Sequence, residues 1–96
     1  RTDIRNRIRG GDVLEVGFTV DGPNEGLVVD SQPIHCHTRA SLGAAQVVAT
    51  SDAGITEVGG ALQVEWTTQA SWRGSCQRLS VHVPGAAAGT LDFVIF

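Results

Sequence analysis

Apolar side chains recur at every second position through much of this chain, a period that a strand buries on one face and a helix cannot. Leu14, Val16, Phe18 and Val20 alternate with Glu15, Gly17 and Thr19. Leu62, Val64 and Trp66 alternate with Gln63 and Glu65, and Leu79, Val81 and Val83 with Ser80 and His82. Residues 47–50 and 55–58 are shorter candidates, and 91–96 reads as a buried final strand. Ile34-His35-Cys36-His37-Thr38 alternates too, with Ile34, Cys36 and Thr38 on one face and His35, His37 and Arg39 on the other. Turn signals separate these runs: Gly10-Gly11-Asp12, residues 21–26, residues 51–54, Gly59-Gly60 and residues 84–89. Gly59-Gly60 suits a two-residue hairpin. The pattern predicts an antiparallel β-sandwich of about seven strands.

The chain has 96 residues and a net charge of −3, enough for one domain. We expect residues 10–96 to form that domain and 1–9 to be a linker or an edge strand. Burial in so small a domain is limited, so a covalent link would add materially to its stability. An acidic balance argues against nucleic acid as a partner. No apolar run is long enough to span a membrane. With no Met and Arg1 at its start, the chain is expected to be processed or cut from a longer protein.

The densest motif lies around the second cysteine, in Trp66-Thr67-Thr68, Ser71-Trp72, Gly74-Ser75-Cys76 and Arg78-Leu79. This segment resembles the PxKF module, a small domain of secreted bacterial proteins. Gly11-Asp12 followed by Val16-Gly17-Phe18 is similar to the family's opening strand. Cys36 falls where the family places its first cysteine, and Asp92–Phe96 resembles its aromatic-ended last strand. The resemblance covers about residues 10 to 96. Glu15 and Gly17 stand where the naming motif has Pro and Lys; only Phe18 is kept. The resemblance implies an immunoglobulin-like sandwich, a bond between Cys36 and Cys76, and no catalytic activity. Two cysteines in a small domain of this kind also suggest a bridge by themselves, with two buried free thiols as the alternative.

His35 and His37 on one strand face, with His82, are weak metal candidates. Cys36 would face the other way, into the core, so the triplet cannot converge on one ion, and we expect no metal and no cofactor. Trp66 is expected in the core. Trp72 is expected to cap the end of the core over the disulfide, with a partner contact as the other reading. Arg5, Arg7 and Arg9 share a face if the N-terminus is extended, as a contact for a partner's carboxylates or an anionic surface polymer, or as a charged edge. No nucleophile–base motif, calcium loop or phosphate loop is present, so no enzyme is expected. These readings converge on a non-catalytic extracellular module for protein–protein contact or structural support in a larger secreted or surface protein. The alternatives are a subunit of a repetitive extracellular assembly (filament, surface layer or phage particle) and a carbohydrate-binding module.

Overall fold

The computed structural model of the chain describes residues 4, 6–20, 26–85 and 89–96. The expected turns at 21–25 and 86–88, and Arg5, lie outside the described residues. Eight strands form: β1 (Asn6–Ile8), β2 (Val13–Phe18), β3 (Val28–Ile34), β4 (Gln46–Thr50), β5 (Ile55–Val58), β6 (Ala61–Thr67), β7 (Cys76–His82) and β8 (Gly89–Ile95). The only helical turn among the described residues is a short 3-10 segment, Ala70–Trp72. The strands make two sheets, ordered β1-β8-β7-β3-β4 and β2-β6-β5. All pairings between strands are antiparallel except β1 with β8, which is parallel.

The alternation dictates the packing. Leu62, Val64 and Trp66 of β6 are buried, while Gln63 and Glu65 between them are more open. Val64 and Trp66 meet Val29, Ala49, Leu79, Phe93 and Ile95 from the larger sheet. Leu14, Val16 and Phe18 of β2 point the same way but stay half-buried. Trp66 sits at the centre, with the Phe93 ring edge-on at 5.1 Å and the Trp72 ring at 6.2 Å. Such aromatic pairs add about 0.5–1.5 kcal/mol each beyond the apolar area they bury.

Two tight connections follow from local chemistry. Val58 pairs with Ala61 across Gly59-Gly60, and both glycines have positive φ (59° and 86°), the left-handed geometry that a two-residue hairpin requires. At the other edge, Thr68 is a hub that the alternation did not single out. Its hydroxyl donates to the Asp12 carbonyl (2.6 Å) and accepts from the Gly11 N–H (3.1 Å). That hydroxyl fixes the β1–β2 connection to the end of β6. β1 is further locked by backbone bonds from Phe96 N–H to the Ile8 carbonyl (3.0 Å) and from Gly10 N–H to the Phe96 carbonyl (2.8 Å).

The strand expected through Thr38 ends at Ile34 instead. His35 to Thr38 is a turn: the Arg39 N–H donates to the His35 carbonyl, and the His35 N–H to the Ala40 carbonyl, both at 2.8 Å. Arg39 closes it with φ 63°. The His35 ring accepts from the backbone N–H groups of His37 and Thr38 at its Nδ1, both at 3.2 Å, so the imidazole caps its own turn. Alternation alone cannot tell such a turn from a strand, because nothing in the period of two records a side chain folded back on its own backbone.

Candidate functional site

Cys36 and Cys76 are bonded, with their Cα atoms 5.3 Å apart. The bond's position corrects the expectation that Cys36 faces the core. Cys76 pairs with Ile34 and Val94, and it alternates with Gln77, which pairs with the core residue Phe93. Cys76 therefore shares the outer face of the larger sheet with Arg78 and Asp92, away from the core face of Leu79. Ile34 and Cys76 are nonetheless fully buried, because the connection after β3 folds back over them. The bridge ties β3's exit to its neighbour β7 within one sheet. It does not cross the sandwich, as the bond of antibody domains does.

The same face carries a charged cluster. Arg78 grips Asp92 with both arms, Nε to Oδ1 at 2.8 Å and an Nη to Oδ2 at 3.1 Å. Arg39 reaches Asp92 from the overlying turn at 3.4 Å. The hydrogen bond to Asp92 is the main cause that raises Arg78 above the ordinary guanidinium value; partial burial opposes it and the charge attraction adds to it. The cluster holds the turn against β8 and contains no nucleophile.

The candidate metal ligands are not brought together. His35 and His37 rings lie 5.8 Å apart, with one nitrogen of His35 committed to the turn. His82 lies at the far end of β7, roughly 20 Å along the strand from Cys76 at about 3.3 Å per residue, and pairs with Asp30 at 2.7 Å. Among the described residues no three metal-ligating side chains gather.

Arg7 and Arg9 are exposed, and Arg7 stacks over the Phe96 ring at 5.0 Å. β1 spends one edge on β8, so residues 6–8 form an edge strand carrying arginine. The opposite edge of that sheet is different in kind. β4, Gln46-Val47-Val48-Ala49-Thr50, carries no charge and no proline; among the described residues it forms a ladder only with β3, and beyond it only Thr50 is bridged, to Gly54. Val47 is 65% exposed there, and Leu42 is exposed just before it. Soluble proteins usually guard an outermost strand with charge, proline or a covering loop. β4 has no charge or proline of its own.

Beside β4 the two sheets part. A cleft of about 390 Å3 is lined by Ser31, Gln46, Trp72 and Gln77, and adjoins one of about 240 Å3 that Ser31, Gln46 and Trp72 also line, with Trp66 and Glu65. Trp72 is half-buried against Trp66 on the core side, not over the disulfide, which lies on the outer face. The Trp66 indole N–H is buried with no acceptor among the described residues. Leaving such a group unpaired costs about 1–3 kcal/mol. At the other end of the sandwich Val16, Phe18, Leu79, Val81 and Leu91 line an apolar recess of about 420 Å3, whose rim at Val20 and Gly89 adjoins segments outside the described residues. Ser31, Gln46 and Gln77 did not stand out in the sequence. Only their placement on the inward positions of β3 and β7, or at the start of an edge strand, gives them a common space.

The fold and these surfaces define a disulfide-bonded, two-sheet β-sandwich. No family model, no curated protein and no solved structure matches the chain. No helix among the described residues is long and apolar enough to cross a membrane.

Proposed function

We propose that this chain is a non-catalytic contact module of a larger secreted or cell-surface protein, and that it engages a protein partner through the edge of β4. The observation that carries the reading is the unguarded edge itself: an uncharged outermost strand with Val47 exposed. A partner strand added there would gain main-chain hydrogen bonds along the edge and cover Val47 and Leu42. β1 is the weaker candidate for such pairing, since β8 occupies one edge and arginines flank the other. Arg7 and Arg9 remain suited to a partner's carboxylates or an anionic surface polymer. The extracellular assignment is supported by the Cys36–Cys76 bond, which persists in oxidising compartments. The order of strands, with the first parallel to the last, supports an immunoglobulin-like reading, the type that a resemblance to the bacterial PxKF module would imply. A subunit of a repetitive assembly is the second reading, because an uncharged edge also fits a second copy of itself.

A photo-crosslinking residue at position 47, in protein kept in its natural setting, tests the contact. We expect one discrete protein adduct at position 47 and none at position 13, which is comparably exposed on β2 at the other side of the molecule. Equal labelling at both positions, or none at position 47, retires the reading. An adduct of twice the chain's mass selects the assembly.

A further inference from the structure

We propose that the cleft between β4 and the Trp66–Trp72 corner is a binding site for a neutral oligosaccharide. This goes beyond the contact role and stands independently of it.

The cleft is built into the topology. β5 reaches along β6 only as far as the Ile55–Val64 pair, so Glu65–Thr67 have no strand beside them on that side. The 3-10 turn then places Trp72 over the gap, against Trp66. The space left, about 390 Å3 and 240 Å3 in its two adjoining parts, is close to the roughly 300–1,000 Å3 of small-ligand sites.

Its walls set polar side chains among apolar ones, where a core would carry apolar ones alone. Ser31 and Gln77 are 4% and 3% exposed, yet neither is charged or paired in an ion bridge, and Gln46 stands at the mouth. Trp66 lines the cleft from behind, its indole N–H buried with no acceptor among the described residues, so that resonance reports on the corner.

The chemistry of the walls selects the ligand. Hydroxyls and carboxamides both donate and accept, as the hydroxyls of a sugar ring do. The half-buried Trp72 offers a flat apolar surface against which the C–H face of a pyranose can lie. No arginine or histidine lines either part, and Glu65 is the one ionised side chain there, which disfavours an anionic ligand. A purely apolar ligand would strip water from Ser31, Gln46 and Gln77 and return no hydrogen bond.

The chain has only two tryptophans, and both line the cleft, so intrinsic fluorescence reports on it directly. The intact disulfide-bonded protein is titrated with cellotetraose, xylotetraose, maltotetraose and chitotetraose, and with trigalacturonate as the anionic control. We expect a saturable change with at least one neutral tetraose, half-complete at or below about 1 mM, and none with trigalacturonate. In a 15N spectrum the Trp66 indole N–H resonance should move with the same midpoint. Gln77→Ala and Trp72→Leu should each weaken binding about tenfold or more. If either variant fails to fold, the exposed-site change Gln46→Ala, together with the indole resonance of the unaltered protein, carries the test. Flat titrations with all four sugars overturn the proposal. So does binding that leaves the Trp66 resonance in place, that survives Gln46→Ala unchanged, or that favours trigalacturonate.

Discussion

The Thr68 hydroxyl joins parts of the chain far apart in sequence, and a change of one atom group tests it. In Thr68→Val the shape is kept while the Gly11 N–H loses its partner, and the Asp12 carbonyl keeps only the Thr68 backbone N–H. We expect a loss of about 2 kcal/mol in urea unfolding, from the desolvation cost of the N–H left unpaired. Gly11 should also exchange its amide hydrogen faster; unchanged exchange would mean that the hydroxyl does not hold this connection. At this scale the sequence was readable where a residue's role depends on its own chemistry. Trp66 is large and apolar and went to the centre; two cysteines in a small domain formed a bond. His35 was unreadable, because its role depends on a left-handed Arg39 and on where the backbone N–H groups of the next two residues fall.

Among the elements, the Gly59-Gly60 hairpin and the β4 edge make opposite predictions. Gly60→Ala forces a side chain into φ 86° and should cost about 1 kcal/mol or somewhat more, read as a lowered denaturation midpoint. Val47→Lys places a charge on an exposed edge position and should leave stability within about 0.5 kcal/mol while weakening any association through β4. A large loss of stability in Val47→Lys would show that Val47 is a packing residue. The interiors of β2, β6 and β7, and the hairpin between β5 and β6, were legible because their signals are local: a period of two, and a pair of glycines. The exposed edge of β4 was not. Its residues read as an ordinary short strand, and only the order of strands shows that no further described strand pairs beyond it.

Across the whole molecule, the bond between residues 40 apart in sequence limits the unfolded chain far more than the folded one. On the chain-entropy view, closing a loop of that size stabilises the fold by about 4 kcal/mol. Reduction should therefore lower unfolding free energy by a similar amount, a large share of the roughly 5–15 kcal/mol typical of a native domain. Denaturant titrations with and without reductant measure it; coincident curves would show that the bridge contributes nothing. The class of fold was legible from alternation and turn spacing. The face on which the bond lies was not, because it depends on the register between β3, β7 and β8, which long-range pairing fixes and no local pattern encodes.

The parallel pairing of β1 with β8 has a mechanical consequence. The first strand runs in the same direction as the last, beside it, with Asn6 against Phe93 and Ile8 against Ile95. Tension applied to the two ends would slide these strands past each other, so their hydrogen bonds would share the load together and not open one by one like a zipper. The disulfide, buried deeper in the sheet, would then hold back the stretch between Cys36 and Cys76 even after the strands had slipped. A chain carrying this module would resist a pull at its ends, then lengthen by only part of its contour while the bond stays closed.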